Sequence, residues 1–301
     1  MGFFNKLIST GSSLFTKDTP DYSYGLIKKL GVVTMLQTER WKEFESTILS
    51  LGSEDLTRLL DGICLTDKYE VTLRNYFTSV KSEVKELVAG SYYLFLAWDR
   101  RGTNVGASLT GEQIDGFTYY LGEANRNFSE HFSTPILEAE SFARLVRVYM
   151  GFSDTEAAQS AFANAVHLVP DHLLAHLNYF KVTSPKWLGD LETMQKFVTH
   201  IQHNSLKNLL QLMFLVEAYS DIFSNNSVKD KAVLQKQHGE FIADILAITV
   251  APTDDSLLSI YTRNYLACLY RILGHEKEES GLKKQLEGRR TNYPWAYFGW
   301  N

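Results

Sequence analysis

Six prolines punctuate the 301-residue chain, and none interrupts a segment of periodic apolar residues. Proline cannot donate a helical hydrogen bond and clashes with the preceding turn, so Pro20, Pro135, Pro170, Pro185, Pro252 and Pro294 read as boundaries. Between Pro20 and Pro135 nothing prevents uninterrupted helices. Apolar residues recur there at steps of three and four, the spacing of one helix face. Trp41, Phe44, Ile48 and Leu51 form one set. Leu56, Leu59, Leu60 and Ile63 follow Ser53-Glu54-Asp55, a capped start. Val84, Leu87, Val88, Tyr92 and Phe95 form a third. Ile114, Phe117, Tyr120, Leu121, Ala124 and Phe128 form a fourth, entered through the capping-box signal Thr110-Gly111-Glu112-Gln113. Further helices are predicted over Leu206–Phe223, through Phe241, Ile245 and Ile248, over Leu257–Leu273, and at Leu282 and Leu286. Strict alternation is scarce, and the strand candidates are Val32-Val33-Thr34 and the tail Tyr293–Trp300. The pattern predicts an all-α chain of about a dozen helices.

Composition narrows the function classes. Apolar residues at 45% and charged residues at 22% supply a core and exclude a disordered chain. The net charge of -5 argues against a dedicated nucleic-acid binder, which needs a basic patch, and favours a basic protein partner. Cys64 and Cys268 both sit inside apolar helical patterns, so they read as buried, reduced thiols rather than a disulfide framework or a zinc site. The apolar patch at Phe3–Ile8 is broken by Ser9-Thr10-Gly11-Ser12-Ser13, which does not suit a signal peptide. Lys6 stands where a myristoylation signal wants Ser or Thr. Leu87–Trp98, the longest apolar stretch, is too short for the roughly 20 residues a membrane span needs. A cytoplasmic protein is expected.

The most specific feature runs from Ala139 to Pro170. Phe142, Leu145 and Tyr149 fall on a first helix, Ala158, Phe162 and Ala165 on a second, and Pro170 closes the unit. This spacing resembles the tetratricopeptide (TPR) repeat. Small Ala158 and Ala165 let the helices approach, and the aromatic residues fill the gap. Val146 departs from the small residue that the repeat prefers. A further unit starts with Leu173, His176, Leu177 and Tyr179. A degenerate copy spans Arg263–Arg290, with Glu279 and Lys283 where small and aromatic residues are expected. Three segments in order, Ala97-Trp98-Asp99-Arg100-Arg101-Gly102, the repeat with Pro170-Asp171-His172-Leu173, and Pro185-Lys186-Trp187-Leu188-Gly189-Asp190, resemble an uncharacterised bacterial family of TPR-like proteins. The resemblance implies a TPR-like α-solenoid, a right-handed superhelix of antiparallel helix pairs, and an interaction role. No catalytic residue set comes with it. The expected organisation is a flexible segment 1–20, a helical region 21–134, a TPR-like region 135–290 and an aromatic tail 291–301, with 21–301 as one α-domain.

No phosphate-cradling glycine loop and no nucleophile elbow occurs in the sequence. His172/His176 and His200/His203 lie one helical turn apart, but the Glu of a zinc-protease helix is missing, and no metal or cofactor is expected. In a TPR fold the first helix of each pair lines the groove. That places Glu140, Arg147, Met150, Asn178 and Lys181 on a partner-binding face, and Arg100 and Arg101 beside Trp98 form a second candidate for an acidic group. The expected function is a non-enzymatic protein-interaction module. A cytoplasmic immunity protein that blocks a basic toxin is a narrower alternative, and a cryptic helical enzyme using Arg100 and Arg101 another. The tail, Tyr293-Pro294-Trp295-Ala296-Tyr297-Phe298-Gly299-Trp300-Asn301, is expected to fold back as a cap.

Overall fold

The computed structural model describes residues 21–102, 108–225 and 231–300, so the expected segment 1–20 lies outside the described residues. Among the described residues every regular element is helical and there is no strand. The chain divides into two compact units at Val182/Thr183.

The first unit contains α1 (Leu26–Lys29), α2 (Val32–Gln37), α3 (Trp41–Leu49), α4 (Ser53–Cys64), a 3-10 turn at Asp67–Tyr69, α5 (Glu70–Ser79), α6 (Glu83–Arg101), α7 (Gly111–Phe128), α8 (Pro135–Phe152), α9 (Thr155–Leu168) and α10 (Leu173–Val182). Val32-Val33-Thr34, a strand candidate by composition, is helical. Gly31 turns the chain at φ 68, and Val32, Met35 and Leu36 then share one buried face. Packing of that face overrides the β-branched preference. At α4 the cap is Gly52, with no side-chain bond, so Ser53 is the first helical residue rather than the cap. The α7 capping box forms as the sequence predicts. Thr110 Oγ1 accepts from the Gln113 amide at 3.2 Å, and Gln113 Oε1 accepts from the Thr110 amide at 3.0 Å.

Long helices α6 and α7 pack closely because Gly90 presents no side chain. A Cβ there would stand 2.6 Å from the Phe128 ring. The repeat residues form the hairpin α8–α9, joined by Ser153-Asp154, with Asp154 accepting from the Ala157 amide at 2.9 Å. Two packed helices joined by two residues must run antiparallel. α10 returns onto both. Ala143, Ala165 and Ala175 meet at the centre, one from each helix, with Phe142 and Phe162 packed around them. Phe162 stacks on Tyr179 at 4.6 Å, Ala158 and Leu145 are buried, and Tyr149 is half-buried. Pro170 stands in the turn before α10. Val146 is wholly buried. The hairpin does not begin a separate region at residue 135, since α8 also packs on α4, α6 and α7.

The second unit contains α11 (Leu191–Thr199), α12 (Asn204–Asn225), α13 (Lys231–Ile248), α14 (Leu257–Leu273), α15 (Glu276–Gln285) and α16 (Asn292–Phe298). Its core lies between α12 and α14, where Leu209, Leu212, Val216, Ile260, Leu266 and Leu269 are buried. Each such side chain contributes about 1.5–3 kcal/mol. Ser256 caps the start of α14 and Gly274, at φ 80, ends it. Glu279 of α15 pairs with Arg271 of α14 at 3.2 Å and, within its own helix, with Lys283 at 3.3 Å, so charged pairs stand where the expected degenerate repeat calls for small and aromatic residues. The tail, the other strand candidate, is helical over α16 and folded back, with Trp295 and Phe298 buried.

Candidate functional site

The face expected to bind a partner is largely interior. Glu140, Arg147, Met150 and Asn178 are buried, and Lys181 is half-buried. The reason lies earlier in the chain: α4 and α6 pack onto the face of α8 that a repeat groove would leave open.

From α4, Thr57 Oγ1 donates to Glu140 Oε2 at 2.7 Å, and Asp61 accepts from Arg144 at 2.9 Å. Arg144 also donates to Glu140 at 2.8 Å, so one guanidinium bridges two carboxylates. His172, at the start of α10, places Nε2 3.3 Å from Glu140 Oε2, off the line of a well-directed hydrogen bond. Its Nδ1 accepts from the Ala175 amide at 3.4 Å, which turns Nε2 toward the carboxylate. Burial works against the Glu140 charge, but Arg144, His172 and Thr57 overcome it and hold the carboxyl below its ordinary range. Burial also opposes the Arg144 charge, and the two carboxylates outweigh it, so its pKa rises. At Asp61 burial wins over Arg144, and the pKa is raised. Asn178 donates to the Ala143 carbonyl at 2.8 Å, tying α10 to α8. These are ties between helices, with their polar atoms turned inward.

A second cluster closes the end of α6. Arg147 lies over the Trp98 ring at 4.2 Å, and Arg101 faces the same ring at 5.8 Å and Phe117 at 6.0 Å. Burial, and then the charge of Arg101, push the Arg147 pKa down to about 9. Burial alone lowers that of Arg101. Arg147 also donates to Met150 Sδ at 3.6 Å. Arg100 points elsewhere. It is exposed, and with Glu112, Gln113, Asp115, Tyr119 and Tyr120 it lines a shallow depression of about 810 Å³ on the outer side of α7. The structure thus separates the two arginines, one stacked inward and one on the surface.

The histidine pairs serve the backbone. His176 Nδ1 meets the His172 carbonyl at 2.9 Å, His200 Nδ1 meets the Lys196 carbonyl at 2.6 Å, and His203 Nδ1 accepts from the Leu206 amide at 3.4 Å. No group of three metal-ligating side chains stands together among the described residues. In the second unit Lys186 Nζ donates to Ser220 Oγ at 2.8 Å, the atoms of a Ser–Lys dyad. Ser220 is wholly buried and Lys186 also contacts Glu217 at 2.7 Å, so the pair is turned into the interior and tied to α12.

Thr57, Asp61, Arg144 and Glu217 carry much of this geometry and were not singled out by sequence. The signal for Arg144 was present: Glu140 and Arg144 form an i,i+4 charged pair flanked by apolar residues. No helix among the described residues is long and apolar enough to cross a membrane. Comparison with protein-family models, with curated proteins and with solved structures returns no match.

Proposed function

We propose that the chain is a non-enzymatic protein-interaction module built on TPR-like helix pairs, acting in the cytoplasm on a basic protein partner. The observation that carries this reading is the α8–α9–α10 arrangement, in which one alanine from each helix meets at the centre and Phe162 fills the gap. Because α4 and α6 cover the inner face of α8, the partner is assigned to the outer side of α7. Ile114 and Tyr119 are 47% and 62% exposed there, beside the exposed acids Glu112 and Asp115. Exposed aromatic and aliphatic side chains beside two acids suit a basic partner surface, with Arg100 at the edge of the same depression. Both cysteines are buried and free, in keeping with a reducing compartment.

The test is affinity capture from the source cell with the wild-type chain and with the Glu112→Lys/Asp115→Lys/Tyr119→Ala variant, read by quantitative mass spectrometry. A basic protein retained by the wild type and lost by the variant supports the reading. Identical retained sets defeat it.

A further inference from the structure

In the second unit, residues 289–300 are held as a bound peptide would be. Asn264, wholly buried on α14, spans their main chain. Its Nδ2 donates to the Arg289 carbonyl at 3.1 Å, and its Oδ1 accepts from the Thr291 amide at 3.1 Å. The same Oδ1 accepts from Trp295 Nε1 at 2.9 Å. On α12, Glu217 accepts from the Tyr293 hydroxyl with one oxygen and from Lys186 with the other. Phe298 sits against Tyr219 at 5.5 Å, and Tyr293 against Tyr265 at 6.1 Å. Three cations from outside the segment stand over its rings: Lys186 over Tyr297 at 5.5 Å, Arg271 over Trp300 at 4.9 Å and Lys283 over Trp295 at 5.5 Å.

A single buried amide can tie two packed helices, as Asn178 does through the Ala143 carbonyl. Here a buried amide reads the main chain across residues 289–291, which is how a groove holds an extended ligand independently of its sequence, while ring pockets and cations select aromatic side chains. We propose that the face formed by α12, α14 and Lys186 is a binding site for aromatic-rich peptide segments, and that residues 289–300 are its resident occupant. The partner is a protein segment bearing the pattern Tyr-Pro-Trp followed by Phe and Trp, which displaces the resident. This site is separate from the α7 face and does not rest on its assignment. The resident is tethered, so it competes at an effective concentration on the order of millimolar, and the wild type should bind an external segment weakly.

A fluorescein-labelled peptide of residues 289–300 is titrated into the full chain and followed by anisotropy. The Trp295→Ala/Phe298→Ala variant, whose resident segment is loosened, should bind the peptide at least about 10-fold more tightly than the wild type. Adding Asn264→Ala should reverse that gain. Equal or absent binding in a variant of native far-UV dichroism overturns the proposal. Loss of helical dichroism in that variant also overturns it, because the segment is then core. Hydrogen exchange on the wild type gives an independent reading. Amides of 295–299 should exchange ahead of those of α14, and equal protection counts against displacement.

Discussion

Arg144 and Asp61 meet at 2.9 Å across α8 and α4, and the same guanidinium holds Glu140. Removing the cation strands Glu140 in the interior and leaves the partly buried Asp61 without its partner. Arg144→Met should therefore destabilise the first unit by about 3–5 kcal/mol, read from the denaturant midpoint. Thr57→Val removes a single bond to Glu140 and should cost about 1–3 kcal/mol. An Arg144→Met protein as stable as the wild type would show that the network is dispensable.

The same carboxylates set opposite pH slopes. Glu140 has a lowered pKa in the fold, so its contribution is present above the ordinary carboxylate range and is lost as pH falls through its folded value. Asp61 has a raised pKa, so its contribution is present below the ordinary range and lost as pH rises through the folded value. The stability gap between wild type and Glu140→Gln should be wide at pH 7 and narrow as pH falls below the ordinary carboxylate range. The gap for Asp61→Asn should change in the opposite sense. Equilibrium unfolding at a series of pH values reads both.

Two glycines are fixed by what lies against them. Gly189→Ala would bring a Cβ to 2.2 Å from the Thr183 carbonyl oxygen, a backbone atom that cannot rotate away. Gly90→Ala would meet the Phe128 ring at 2.6 Å. Each should cost about 1–3 kcal/mol, with Gly189 the larger because an aromatic ring can shift and a main chain cannot. Thermal melts of the two variants give the order.

Burial raises the pKa of both Cys64 and Cys268. Neither should react with a thiol-specific chromogen in the native protein at pH 8, and both should react once it is denatured. Prompt labelling of the native chain would contradict the burial.

Charge reversal at the start of α7 should cost no more than about 1–2 kcal/mol, because Glu112 and Asp115 are exposed and their replacement by lysine opposes only the helix dipole. A matched melt for the Glu112→Lys/Asp115→Lys variant ensures that lost capture reports recognition and not unfolding.

Much of the fold could be read from local spacing. The bounds Leu257–Leu273 and the Thr110–Gln113 box depend on residues within one helix, and the set Phe142, Ala158, Phe162 and Ala165 on one helix hairpin. The fate of Glu140 and Arg147 could not be read that way. A helical period shows that they share a face, but what covers the face comes from Thr57, Asp61 and Trp98, which lie far back in the chain. Val32–Thr34 misled because β-branching is a weak preference, and Gly31 with three buried neighbours outweighs it. Asn264 gave no signal, since an asparagine within an apolar run is equally suited to a helix-internal bond, which it also makes to the Ile260 carbonyl at 2.9 Å.

In repeat proteins the inner surface is the usual place to rewrite specificity, because its residues can be exchanged without touching the scaffold. Here Glu140 and Arg147 are already spent on α4 and α6, so a library randomised at those positions would sort variants by whether they fold. If the proposed α7 face is the recognition surface, new specificities would be drawn there. The number of helix pairs in the first unit is fixed for the same reason, since a duplicated α8–α9 would have no second α4 and α6 to cover it.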